Sequence, residues 1–189
     1  MEKTKPETFS DRLALIVIDM QDRVLKAVPD GKDLKRRVSF AIEAAITLGI
    51  HVVFTEQQPD KLGHACEDLI ALAPKAEVFS KTAFSIFQSP QLVKHLSKRN
   101  TEHVLLCGIE TSICVYQSAL QALRKEFDVT LLSDCTGARR QADAAAVLRF
   151  LERFGVHVLP SETVFYSLLA DAKHPKFKPF TELVKRYSK

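Results

Sequence analysis

The sequence predicts an α/β protein: a six-stranded parallel sheet in a three-layer α/β/α sandwich, doubly wound and Rossmann-like, with strand order 3-2-1-4-5-6. Two observations carry this expectation. Six short apolar runs recur along the 189 residues, and helical apolar patterns separate most of them. Parallel neighbours need crossover connections, and right-handed crossovers wind helices onto both faces. At this length and 46% hydrophobic residues, the chain suits one domain over residues 1–189, with its core at about 11–165.

The elements follow in order. Leu13 to Ile18 is a continuous apolar run, fit for a strand covered on both faces, and Asp19 ends it. A helix is expected from Lys32 to Leu48, with Leu34, Val38, Ile42, Ala45 and Ile46 on one face and Gly49 as its stop. Ile50 to Thr55 is the second strand, Glu56 to Gly63 a loop, and Ala65 to Ala73 a short helix. Glu77 to Phe79 is the third strand. Ser80 to Phe87 mixes polar and aromatic residues in a way that suits a site lining. Pro90 opens a helix to Arg99, and His103 to Cys107 is the fourth strand. The next helix carries Ile113, Tyr116, Leu120, Leu123 and Phe127 at helical spacing. Val129 to Leu132 is the fifth strand, followed by a turn over Ser133 to Gly137. A helix from Arg140 to Phe154, a sixth strand at Val156 to Leu159, and helices over Glu162 to Ala170 and Phe180 to Tyr187 complete the chain.

The formal charge of +4 lies in the tail, where Lys173, Lys176, Lys178, Lys185, Arg186 and Lys189 face only Asp171 and Glu182. A neutral body with a basic end argues against nucleic acid as a partner and for a solvated segment at 171–189. Met1 to Ser10 is polar, without the apolar core of a secretory signal, and no run reaches the length of a membrane span. Cys66, Cys107, Cys114 and Cys135 have no paired spacing, so free thiols in a reducing cytoplasm are expected.

The chemistry concentrates at residues 103–114, where an apolar strand meets Gly108, small polar residues, and then the helix that begins around Cys114. A thiol at a helix N-terminus is expected to have a depressed pKa. Cys107, inside the strand, reads as an apolar filler. In the expected strand order, strands one and four adjoin at the switch point, so Asp19 and Cys114 face each other beyond the carboxyl ends of the strands. Lys81 follows an edge strand, and its segment must curve back over the sheet to join them. If it does, the carboxylate can take the thiol proton while the ammonium balances the charge. Taken singly, Asp19 is a strand-end turn former and Lys81 a loop lysine.

Leu15-Ile16-Val17-Ile18-Asp19-Met20-Gln21, Lys81-Thr82-Ala83-Phe84-Ser85-Ile86-Phe87 and Cys107-Gly108-Ile109-Glu110-Thr111-Ser112-Ile113-Cys114-Val115 resemble three blocks of the isochorismatase-like cysteine hydrolases. The resemblance spans residues 11–165. It implies Asp19 as general base, Cys114 as nucleophile, Lys81 as the residue supporting both charges, a cis peptide between Ile109 and Glu110, and an oxyanion hole from the N–H groups of Glu110 and Cys114. It implies hydrolysis of an amide-type bond of a small molecule, and a homo-oligomer of at least two subunits. Phe84, Phe87 and Tyr116 are candidate pocket residues.

Within the superfamily, Gln57 and Gln58 stand where nicotinamidases carry metal ligands, so no metal and no cofactor is expected there, and His64 reads as a surface residue. The Glu56-Gln57-Gln58 and Gly108-Ile109-Glu110-Thr111 segments look most like the small isochorismatase-domain-containing proteins. Ser112 departs from the His common in that subgroup and leaves specificity open. True isochorismatases generally lack the cysteine, so Cys114 argues against vinyl-ether cleavage. Asp19-Met20-Gln21-Asp22-Arg23 excludes a Gly-x-Gly-x-x-Gly dinucleotide loop, and Gln21 excludes an Asp-x-Asp phosphoryl-transfer start. Leu120 and Gln141 stand where a cysteine phosphatase needs arginine. A silent scaffold serving oligomer assembly or partner binding is the alternative from another class.

Overall fold

Burial on both faces makes Leu13–Ile18 a central strand: all six side chains are buried, as happens when helices cover both sides of a sheet. The structure, a computed structural model, describes residues 9–188. The polar stretch 1–8 and Lys189, which entered the leader and tail readings, lie outside them. In chain order the elements are β1 (Leu13–Ile18), α1 (Asp22–Leu25), α2 (Gly31–Leu48), β2 (His51–Gln57), α3 (Pro59–Leu62), α4 (Glu67–Leu72) and β3 (Glu77–Lys81). Then come α5 (Pro90–Lys98), β4 (His103–Ile109), α6 (Tyr116–Arg124), β5 (Asp128–Gly137) and α7 (Gln141–Arg153). β6 (His157–Leu159), α8 (Ser161–Leu169) and α9 (Phe177–Tyr187) complete the described chain. A 3-10 turn spans Ile86–Gln88 and a π-helical turn spans Thr111–Val115.

The sheet is parallel throughout, in the order β3-β2-β1-β4-β5-β6, as the sequence predicts. The alternation along β1 sorts the helices between layers. Leu13, Leu15 and Val17 join a core with residues of α2, α4, α8 and α9, whereas Ala14, Ile16 and Ile18 join one with α5, α6 and α7. Among the described residues no helix is long and apolar enough to cross a membrane.

Four departures from the sequence reading shape the site. β2 and β3 run on to Gln57 and Lys81, so Lys81 closes a strand and its segment does not need to curve back. β5 includes the expected turn at Ser133–Gly137 and bulges there: Leu106 pairs with Leu131 but Gly108 with Thr136. Asp134 in the bulge is held by Arg37 of α2 (2.6 Å) and by the Ser161 backbone N–H (2.7 Å). The buried side of the segment after β4 is Cys114, Val115, Ser118, Ala119 and Ala122, not the predicted stripe, whose members are only partly buried. Small residues let that helix lie close on the sheet.

The basic C-terminal segment is also not simply solvated. Phe180 is buried among Phe40, Phe165 and Tyr166, and the Tyr187 hydroxyl donates to Glu43 of α2 at 2.6 Å. Its charges occupy the outer side of an amphipathic helix.

Gly108 fixes how closely β1 and β4 approach beneath the site. Its φ is 110°, and a Cβ there would sit 2.0 Å from the Ile18 carbonyl oxygen. Gly49, the left-handed cap of α2 with φ 79°, has open space around a Cβ. Gly108→Ala is therefore expected to destabilise by roughly 4 kcal/mol or more, combining left-handed strain with a backbone clash, and Gly49→Ala by only about 1–2 kcal/mol. Denaturant unfolding of the two variants measures the difference.

Candidate active site

Three strand ends deliver three side chains to one place. Asp19, just past β1, adopts a left-handed backbone with φ 51°. Its N–H donates to the Thr55 carbonyl (3.1 Å), and the Thr55 hydroxyl donates to its Oδ1 (2.8 Å). Lys81 Nζ donates to Asp19 Oδ2 at 2.6 Å and to Gln57 Oε1 at 2.6 Å, with the Ala83 carbonyl at 3.3 Å. Lys81 starts two strands away from β1. Two strand spacings amount to about 10 Å, a gap that an extended lysine and an aspartate span together. Cys114 lies in the π-helical turn after β4, with its Sγ 3.8 Å from Lys81 Nζ. All three are buried, at 2% exposure for Asp19 and 7% for Lys81 and Cys114. The structure thus brings together the carboxylate, ammonium and thiol that the sequence singles out.

The electrostatics correct one expectation. Burial pushes the Cys114 thiol up to about 12, and the nearby Asp19 charge adds to the rise. Lys81 and a hydrogen bond from the Glu110 backbone N–H oppose it. The resting group at neutral pH is therefore a thiol, not the depressed-pKa thiolate expected of a helix N-terminus. Desolvation and a neighbouring carboxylate outweigh the end of a helix whose first turn is π-helical. The arrangement is that of a thiol facing a carboxylate, with an ion pair alongside. Cys66, Cys107 and Cys135 are likewise free, buried and raised by burial, and Cys107 fills the sheet core as expected.

The Ile109–Glu110 peptide is cis. The Glu110 carbonyl accepts from Ile113 and Val115 N–H at 3.0 and 3.1 Å, the second being the π-type bond of the turn. The Glu110 carboxylate pairs with Arg139 Nε at 2.5 Å. Of the candidate pocket aromatics, Phe87 is a correction: it is buried in the core against Phe127, with ring centroids 5.4 Å apart. Tyr116 is half-buried against Phe150, and Phe84 is 53% exposed. An open cleft of about 580 Å³ borders Lys81 between residues 58–61 and 88–91.

Two of the partners, Thr55 and Arg139, are not singled out in the sequence, and Gln57 reads there only as a missing metal ligand. Thr55 holds Asp19, Gln57 holds Lys81, and Arg139 holds Glu110. Gln57 carried a signal in its position, two residues beyond the expected end of the second strand. It is cross-linked further, because its N–H donates to Gln21 Oε1 (2.8 Å) and its amide donates to the Thr82 carbonyl (2.7 Å).

Glu56 accepts from the Ala65 N–H at 2.8 Å and lies 3.2 Å from His64, whose side chain is exposed. Among the described residues, the group that brings three ligand atoms within 4.8 Å is His51, Glu77 and His95, at the other end of the sheet.

Comparison with known proteins identifies the family and the fold. The isochorismatase domain profile matches residues 13–163. The chain is 34% identical over 168 residues to isochorismatase domain-containing protein 1 of Danio rerio, covering 88% of this chain and 59% of that protein, so it spans well under two thirds of that relative's length. Its fold superposes on a structure described as MAR1 ribonuclease from Caenorhabditis elegans with a TM-score of 0.88 and 28% identity, covering 95% of this chain and 92% of that one. It also superposes on the Escherichia coli YcaC gene product, described as an octameric hydrolase of unknown specificity, with a TM-score of 0.83 and 19% identity over 98% of both chains. With the domain profile spanning all six strands and a parallel order of 3-2-1-4-5-6, this chain belongs to the isochorismatase family.

Proposed function

We propose that the chain is a cysteine-dependent hydrolase acting on a small amide-type C–N bond through a thioester on Cys114. One observation carries the reading: a buried thiol meets a buried Asp–Lys pair at the carboxyl ends of the strands, where α/β sheets of this winding bind ligands. Asp19 takes the thiol proton as sulfur attacks the carbonyl carbon, and the C=O electron pair moves onto oxygen. The oxyanion rests on the N–H groups of Glu110 and Cys114. Collapse restores C=O and expels the amine, which takes the proton from Asp19. Water then adds to the thioester, giving up its proton to Asp19, and the acid leaves as the thiol is restored. Lys81 keeps the cluster near charge balance throughout. Ile109 and Glu110 shape the turn, and the exposed Phe84, three residues after Lys81, and Tyr116, two after Cys114, follow the site residues closely in sequence.

The chain acts in this reading as a single isochorismatase-like domain, which the packing of Phe180 into the main core supports. It works in a reducing cytoplasm, a reading supported by its four free thiols, and without nucleic acid, a reading supported by its neutral body at residues 1–170. It assembles as at least a dimer. The octameric description of the E. coli relative supports this, as does the outward-facing, stacked Phe150–Phe154 pair, whose centroids are 4.3 Å apart.

A panel of small primary amides, with an RNA oligonucleotide alongside because of the nematode relative, is expected to release ammonia and leave RNA intact. Cys114→Ala is expected to lower that turnover at least about 10³-fold with the fold retained; retained activity removes the thiol from the reaction, and RNA cleavage replaces the reading. Lys81→Met is expected to destabilise by roughly 3–5 kcal/mol by stranding the Asp19 charge, and the added change Asp19→Asn to restore part of that loss. Unfolding free energies of Lys81→Met, Asp19→Asn and the double variant, from denaturant titration, close the cycle.

A further inference from the structure

His51 and Glu77 open β2 and β3, and both point to the face covered by α5. The register shows why: Val53, two residues after His51, lies beside Glu77, and side chains two apart share a face. His95 comes down onto them from α5, between the buried Leu92 and Leu96. The two imidazoles meet at Nε2–Nε2 2.7 Å. Glu77 Oε2 lies 3.6 Å from His51 Nε2 and 3.7 Å from His95 Nε2. The two imidazole side chains are mostly buried, and the carboxylate is about half exposed.

We propose that His51, Glu77 and His95 form a binding site for a divalent transition-metal ion of the zinc type, at the end of the sheet opposite Cys114. Ligand atoms about 2.0–2.1 Å from a tetrahedral zinc stand about 3.3 Å apart. The imidazole pair must therefore open by about 0.6 Å and the carboxylate close by about 0.3–0.4 Å, which is within side-chain adjustment. Two imidazoles and a carboxylate are a donor set for zinc and its neighbours in the first transition row, not for magnesium or calcium, which want oxygen. Three protein ligands leave a fourth position on the solvent side beside Glu77 for water. Arg99, at the end of α5, opposes the ion and weakens the site relative to one without it.

The ion would act on the edge of the sheet. β3 pairs on one side only, and its outer residues bury little. A metal at Glu77 ties the first residue of β3 to β2 and α5, and the last residue of that strand is Lys81. The site does not depend on the hydrolase reading.

The test uses the intact chain, stripped with chelator and titrated with Co²⁺. One equivalent is expected to bind with a ligand-field spectrum and no thiolate-to-cobalt charge-transfer band. Glu77→Gln and His95→Ala are expected to weaken it at least roughly tenfold, and Cys114→Ala to leave it unchanged. One equivalent of Zn²⁺ is expected to raise the thermal midpoint of the unsubstituted chain and not that of Glu77→Gln, whose half-exposed side chain makes misfolding a poor alternative explanation. No uptake, uptake carrying the thiolate band, or uptake equal in both variants overturns the proposal.

Discussion

The buried ion pair between Lys81 and Asp19 is the constraint on which the site depends. Both side chains are 3% exposed. Removing two charges from water costs several kcal/mol each, and their attraction offsets this only when the remaining hydrogen-bonding positions are filled. They are filled here by Thr55 on the carboxylate and by Gln57 and the Ala83 carbonyl on the ammonium. Burial, with the Asp19 charge beside it, outweighs the help of Lys81 and keeps the thiol protonated.

The fold meets that constraint with backbone devices. Asp19 turns left-handed immediately after β1, which aims its carboxylate across the strand ends toward β3. Gly108 lets β4 approach the end of β1 without a side chain between them, and the π-helical turn that follows presents Cys114 to the pair. Behind the turn, the Thr136 hydroxyl donates to the Gly108 carbonyl at 3.0 Å and meets the Thr111 hydroxyl at 2.8 Å. On the other flank Ser118 takes the Ile86 N–H at 3.1 Å, which anchors the segment after Lys81 to α6.

The layer order was legible because β1 is apolar at every position and β4 nearly so, and because helical patterns separate the runs. Lys81 as a strand residue was not legible. Edge strand β3 is mostly exposed, with Phe79 half-buried and only Lys81 buried, so it lacks an apolar run to mark it, and its length is set by pairing with β2, a contact no local window contains. The buried side of α6 was misread because Ser118, Ala119 and Ala122 pack by being small, which a search for large apolar residues passes over. The charge state of Cys114 was misread for a related reason: the helix-end effect is local and visible in sequence, whereas desolvation and the Asp19 charge arise only when distant strands meet. His51, Glu77 and His95 lie 26, 18 and 44 residues apart pairwise, without the short spacing of a metal motif, and only the register of β2 and β3 joins them.

The coupling of thiol, carboxylate and ammonium can be read directly by titrating the Cys114 thiolate through its ultraviolet absorbance, as the difference between the chain and its Cys114→Ala variant, with and without Asp19→Asn. A carboxylate that raises the thiol and a lysine that lowers it predict that Cys114 ionises well above the ordinary value of 9.0 in the unsubstituted chain. Asp19→Asn is predicted to move that ionisation to lower pH, because the opposing charge is gone and Lys81 remains. Ionisation at an unchanged or higher pH in Asp19→Asn would contradict the account.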